Sequence, residues 1–261
     1  MKDGMLCAVS EGVATLTFNR PAVMNALDAD MIHAFRAACE RAAADPQARV
    51  IVLRGAGPAF VAGGDVAMFR DNVPAMATLV PELAAELHQG ILALRRAPQP
   101  VIAAVHGAVA GAGVSIMLAC DLVLAAAGTQ FSMAYSRIGT SPDGGATWFL
   151  PRLTGYQKAM ELMLLADTAD AETMQRLGLV NHVLAAEQLS IEVEKLARRL
   201  AAGPARAYAE TKALANRALH DGLAAHLDAE ALAFARCAAT ADFAEGVSAF
   251  ADKRKPLFKG K

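Results

Sequence analysis

Aromatic residues are scarce in this chain: one tryptophan, three tyrosines and ten phenylalanines make up 5% of 261 residues. With few large rings, the interior has to be built from small aliphatic side chains, and 55% of the sequence is hydrophobic, mostly Ala, Val and Leu. An excess of either charge is also lacking. The 25 Lys and Arg and 26 Asp and Glu leave a net charge of −1, which argues against the clustered basic face of a nucleic-acid binder. A single basic cluster, Lys253-Arg254-Lys255, stands near the C-terminus. No stretch reaches the ~18 uninterrupted apolar residues of a membrane span. Val101–Ala112 is broken by His106, and Val114–Ala119 by Ser115. The four cysteines (Cys7, Cys39, Cys120, Cys237) form no C-x-x-C pair, so they are expected to be reduced, buried and structural. The six histidines show no H-E-x-x-H or other metal-ligand spacing, and no metal is expected. No charged-then-apolar leader pattern opens the sequence, and the expectation is a cytoplasmic protein with neither membrane nor nucleic acid as partner.

The N-terminal part reads as two short strands, Leu6–Ser10 and Val13–Phe18, joined at Glu11-Gly12. Asp28 is a candidate N-cap for a helix whose apolar face is Met31, Ile32, Phe35, Ala38, Cys39 and Ala42. Val50–Leu53, Val101–Val105 and Leu122–Ala126 read as buried strands, Ala77–Arg95 and Gly111–Cys120 as helices, and 106–110 as a loop. The order of strand, Gly-rich turn and helix occurs at least twice, which predicts an α/β core. Beyond Pro151 the pattern is helical throughout. Leu189, Val193, Leu196 and Leu200 keep helical spacing, as do Leu223, Leu227, Ala231, Phe234 and Ala238. The division is therefore a core over 1–200 and a helical subdomain over 201–261, with no low-complexity linker between them.

Two Gly/Ala turns, Ala62-Gly63-Gly64-Asp65 and Ala110-Gly111-Ala112-Gly113, follow buried strands. Small residues let a ligand approach the backbone, and N–H groups there can hold a developing oxyanion. Close helix–strand packing asks for the same residues, so each turn by itself has two readings. A dinucleotide site is rejected, because Ile116 occupies the third glycine position and Asp121 comes too soon to bind a ribose. No Gly-x-Ser-x-Gly elbow and no P-loop is present.

The remaining signal is Asp143, alone in a Pro-Asp-Gly-Gly turn within Phe131–Thr154. Such a turn is ordinary loop chemistry. Its sequence neighbours Phe131, Met133, Tyr135, Ile138, Trp148 and Phe149 give the second reading, since an acid among apolar groups is a better proton acceptor near neutrality.

These pieces together resemble the enoyl-CoA hydratase/isomerase (crotonase) superfamily. The matching segments are Asn19-Arg20-Pro21, Met24-Asn25-Ala26-Leu27, Phe60–Asp65, Ala104-Val105-His106-Gly107, Ala110–Gly113, Cys120-Asp121, Glu245–Phe250 and Lys253–Pro256, in that order along the whole chain. The resemblance implies a fold of repeated ββα units, a helical C-terminal region that forms a homotrimer or a dimer of trimers, and an acyl-CoA substrate with no separate cofactor. It implies that the N–H groups of Gly64 and Ala112 hold the thioester oxygen. It further implies that Ala22, Met24, Ala62, Asp65, Gly111 and Tyr135 line the substrate path, and that Lys253 reaches a phosphate. Ala22 replaces a basic residue often found at the start of that path.

Hydratases of the superfamily carry two glutamates, and their places here hold Ser115 and Tyr135. Asp143 is the carboxylate left. The run Phe131–Ser136 through Pro142-Asp143-Gly144-Gly145 and Thr147-Trp148 resembles the ring-epoxide isomerases of phenylacetate breakdown, which act on 1,2-epoxyphenylacetyl-CoA and also shift enoyl double bonds. The implied activity is an acyl-CoA isomerase with Asp143 as proton carrier. Other readings are a Δ3,Δ2-enoyl-CoA isomerase of fatty acyl chains, a generic enoyl-CoA hydratase, and a degenerate acyl-CoA- or RNA-binding homologue. A dehalogenase with Asp143 as nucleophile would need a histidine beside it, and His88 is not expected there. Residues 66–80, with Met68, Phe69 and Met76, are expected to form a flap over the acyl end.

Overall fold

The computed structural model describes residues 4–260. Strands β1 (Met5–Ser10) and β2 (Val13–Phe18) form an antiparallel hairpin. Its two-residue turn places Glu11 at φ 50° and Gly12 at φ 78°, the left-handed pair whose twist matches the strands. Parallel strands β3 (Val50–Gly55), β4 (Val101–Val105), β6 (Leu122–Ala126) and β9 (His182–Leu184) continue the sheet in the order β1-β2-β3-β4-β6-β9. A second sheet joins β5 (Ala108–Ala110), β7 (Gln130–Ser132) and β8 (Ala169–Asp170).

Both faces of the parallel strands are covered, which is why they read as continuous apolar runs. Alternate residues still divide. Ile51, Leu53, Val101, Ala103 and Val105 enter the main core with helices α1 (Ala29–Ala44) and α3 (Met76–Arg96). Val50, Val52, Ile102, Ala104, Leu124 and Ala126 face Leu189, Val193, Ala197 and Ala201 of α8 (Ala186–Ala201). The α1 reading holds in detail. The Asp28 carboxylate accepts from Met31 N at 2.8 Å, and all six residues of the expected face are buried.

The expected loop over 106–110 contains β5, and the expected all-helical stretch after Pro151 contains β8 and β9 besides α5 (Ala146–Thr154), α6 (Tyr156–Leu165) and α7 (Ala171–Arg176). Strands of two or three residues carry no usable period, and their partners are remote in sequence. The cysteine expectation holds for Cys39 and Cys120, which are buried, but Cys7 is exposed and Cys237 half-buried; all four are free thiols. Among the described residues no helix is long and apolar enough to cross a membrane.

The C-terminal helices are α9 (Ala205–Arg217), α10 (Leu223–Ala238) and α11 (Ala241–Ala251). The α10 stripe is helical as expected, but it does not face the chain's own core: Leu223 is 75% and Phe234 67% exposed, and Ala229 and Ala233 are buried instead. Lys212 pins α9 to the core. Its ammonium reaches Leu94 O at 2.8 Å, Gln99 O at 3.1 Å and Asp121 Oδ2 at 2.7 Å. Burial pulls the Lys212 pKa down, and the Asp121 charge opposes that pull. The Lys212 side chain is 9% exposed, so Lys212→Ala leaves Asp121 short of its partner, and urea unfolding should show a loss of ~3 kcal/mol. An unchanged midpoint would mean that α9 is held by packing alone.

Candidate active site

The loops at the carboxyl ends of β3 and β4 meet around a cavity of 240 Å³, where open α/β sheets present their sites. Leu27, Phe69, Leu83, Leu87 and Ile138 form apolar walls; Gly64, Ala112, Tyr135 and Asp143 supply its polar groups.

The first Gly-rich turn is fixed from both sides. Leu27 N donates to Gly63 O at 2.8 Å and Asp65 N to Leu27 O at 2.9 Å, so the chain on either side of Gly64 is tied and the Gly64 N–H itself has no acceptor among the described residues. Asp65 then caps α2 (Val66–Asp71), its Oδ1 accepting from Ala67 N at 3.1 Å and Met68 N at 3.3 Å. Arg20 holds the other oxygen of Asp65 at 3.2 Å, pairs with Asp28 at 3.0 Å and donates to Ala26 O at 2.6 Å. Buried Asn25, in the left-handed region at φ 57°, stitches this loop to the next by donating from Nδ2 to Ala59 O at 2.8 Å and Ala56 O at 3.0 Å. The Asn19-Arg20-Pro21 and Met24-Asn25 segments are therefore scaffolding for Gly64. Phe69 lies over it: a Cβ on Gly64 would come within 2.5 Å of the Phe69 ring. The expected flap is thus partly helix α2, and Phe69 is its inward residue.

The second turn has a place for both of its readings. Ala112 opens α4 (Ala112–Leu118), and its N–H has no acceptor among the described residues. Gly113 serves packing, since a Cβ there would meet Val61 O at 2.1 Å.

Asp143 lies on the cavity wall, and the glycine after it, Gly144, has φ 61°. Tyr135 Oη donates to Asp143 Oδ1 at 2.6 Å, and Ser115 Oγ donates to the Asp143 carbonyl at 2.9 Å. Burial first, and then the Asp143 charge, push the Tyr135 phenol well above its ordinary pKa, so it remains a donor. Asp143 Oδ2 has no bonding partner among the described residues. Of the acid's sequence neighbours, Tyr135 and Ile138 share its cavity and the others do not. Phe69, Leu87 and Ile138 share its cavity, whereas Trp148 and Phe149 line a separate 460 Å³ cavity with Arg95 and Lys212. Phe131, in β7, and Met133, just beyond its end, line a third cavity.

Of the expected substrate-path residues, Ala62, Gly111 and Tyr135 line the cavity. Ala22, Met24 and Lys253 are exposed and outside it, and Asp65 is committed to Arg20 and the α2 cap. His88 overturns its expectation: from α3 its Nε2 accepts from Gly144 N at 3.3 Å, directly behind the Asp143 turn. The signal was weak, one exposed polar residue next to the buried Leu87 of α3. Among the described residues no cluster of three or more His, Cys, Asp or Glu could hold a metal.

An acyl thioester oxygen needs donors and its α-carbon needs a base; two unused N–H groups and one half-free carboxylate on a single cavity supply both. Known proteins resemble this chain over nearly its whole length. The family model for enoyl-CoA hydratase/isomerase matches residues 8–261. A Rhodobacter capsulatus protein described as a probable enoyl-CoA hydratase is 41% identical over 253 residues, 97% of this chain and 96% of that protein. The 1,2-epoxyphenylacetyl-CoA isomerase of Escherichia coli is 37% identical over 266 residues, 100% of both. The crystal structure of an enoyl-CoA hydratase from Polaromonas sp. JS666 superposes with a TM-score of 0.93 at 35% identity, covering 98% of this chain and 99% of that one. With its α/β core, mixed sheet and helical C-terminal region, the chain belongs to the enoyl-CoA hydratase/isomerase family of crotonase-fold enzymes.

Proposed function

We propose that this enzyme is an acyl-CoA isomerase in which Asp143 moves a proton between carbons of an acyl group whose thioester oxygen rests on Gly64 N and Ala112 N. The observation that carries this reading is Asp143 as the carboxylate of a cavity that also holds those two unused N–H groups. As electron density moves from the breaking C–H bond to the thioester oxygen, the N–H pair stabilises the enolate, at ~2.7–4 kcal/mol per donor. Oδ2 takes the proton and returns it to another carbon. Each half-step moves one proton, so the substrate's coenzyme A is the single cofactor-derived group the reaction uses. Ser115 and Tyr135, in place of the hydratase glutamates, leave water without a carboxylate pair to activate it.

The natural substrate is proposed to be a ring epoxide, 1,2-epoxyphenylacetyl-CoA, supported by likeness to the E. coli enzyme of that name over the full chain. The compact apolar cavity also suits a short 3-enoyl chain. Ala22, Met24 and, from the C-terminal region, Lys253 are proposed to flank the coenzyme A. The exposed apolar stripe of α10, with Phe250 at 88% exposure on α11, supports assembly into a homotrimer or dimer of trimers. With trans-3-hexenoyl-CoA the expected product has unchanged mass and the ultraviolet absorbance of a conjugated thioester; with crotonyl-CoA no water is added. Hydrated crotonyl-CoA in the mass spectrum would overturn the proposal.

The position of His88 favours one second reading, a hydrolytic reaction with Asp143 as nucleophile. It is the weaker one, because the Nε2 lone pair that would activate water already accepts from Gly144 N. Covalent acyl-enzyme detected after quenching would favour it.

A further inference from the structure

Behind the cavity three oxygen–oxygen contacts run in a chain. Asp143 Oδ1 lies 2.6 Å from Tyr135 Oη, which lies 3.2 Å from Ser115 Oγ, which lies 2.9 Å from the Asp143 carbonyl. A carbonyl has no proton, so Ser115 must supply that bond; an ionised carboxylate has none, so Tyr135 must supply the other. Two hydroxyl protons thus serve three contacts, and the Ser115–Tyr135 contact has no proton of its own while Asp143 is charged. The chain cannot conduct a proton away, since both of its ends are oxygens of Asp143 itself. Ser115 is fully buried and Tyr135 nearly so.

Building on the isomerase reading, we infer that Tyr135 is a positioning residue: by occupying Oδ1 it makes Oδ2 the oxygen that takes and returns the substrate proton, with Ser115 as its brace. In the forward half-step the substrate C–H bond breaks, its electron pair enters the enolate, and the O–H bond forms at Oδ2. In the return half-step that O–H bond breaks and the proton joins the other carbon, leaving Asp143 ionised and Tyr135 still bonded to Oδ1. An O–H bond to a charged acceptor is among the stronger ones. The titratable groups bonded to this turn are Tyr135, from the segment after β7, and His88, from α3.

The test uses Tyr135→Phe, which removes Oη and keeps the ring near Gly111. With trans-3-hexenoyl-CoA, kcat should fall ~10–100-fold while KM stays within about threefold. Ser115→Ala, which leaves the carboxylate bond in place, should lose ~10-fold or less. The double variant Tyr135→Phe/Asp143→Asn should be no slower than Asp143→Asn, because Tyr135 acts through that carboxylate. A Tyr135→Phe enzyme with the wild-type kcat, or a double variant slower than Asp143→Asn, beside an inactive Asp143→Asn enzyme, would overturn this inference and leave the isomerase reading standing. Full activity in Asp143→Asn would remove both.

Discussion

Asp143→Asn should lower isomerisation of trans-3-hexenoyl-CoA by ~10²–10⁴-fold, the range that a positioned general base contributes. The loss should fall on kcat rather than KM, since the acyl walls at Leu27, Phe69, Leu83, Leu87 and Ile138 and the donors at Gly64 and Ala112 are untouched. Asn is nearly isosteric with Asp, and its amide oxygen can still accept from Tyr135. The turn is also held at its main chain by Ser115 Oγ and at Gly144 by His88, so the urea midpoint should hardly change. That combination, an intact fold with a lost rate, separates a chemical role from a structural one. A variant that kept its rate would place the base elsewhere. Asp121 and Asp65 are poor replacements, being held by Lys212 and Arg20 respectively.

Much of this architecture could be read from local pattern, and where it could not, the reason is physical. The α1 cap and face were legible because an N-cap and a 3.6-residue period are local properties of the chain. The strands β5, β7, β8 and β9 were not, because each is two or three residues long and exists through a partner distant in sequence. The same divide runs through the site. Asp143 stood out as a lone acid in a turn, but Trp148 and Phe149 fall in a different cavity because α5 carries them away from the turn. Phe69, Leu87 and His88 come from α2 and α3, more than fifty residues upstream, as their numbers show. The stripe on α10 shows the limit of periodicity: spacing identified the helix, but period alone does not tell an own-core face from a face left exposed on a single chain.

Ala112→Pro should cost ~10²–10³-fold in kcat, because it deletes one of the two N–H groups offered to the thioester oxygen and puts the ring Cδ in the place of that hydrogen. Proline is tolerated at the first residue of a helix, where the N–H has no intrahelical partner to lose, and Ala112 is the first residue of α4. The residue before a proline is steered away from the α region; Gly111 lies at φ 48° and ψ −121°, well outside it. The fold should therefore survive, which a near-wild-type circular dichroism spectrum would verify. Gly113→Ala is the contrasting variant. Its Cβ would be driven to 2.1 Å from Val61 O, main chain that cannot swing aside, so the strand-to-helix packing would have to open. That variant should lose stability first and activity as a consequence, whereas Ala112→Pro should lose activity with its stability kept. Equal rates for wild type and a folded Ala112→Pro enzyme would mean that the thioester oxygen is not held at this turn, and the enolate would then need a different donor from the one placed here.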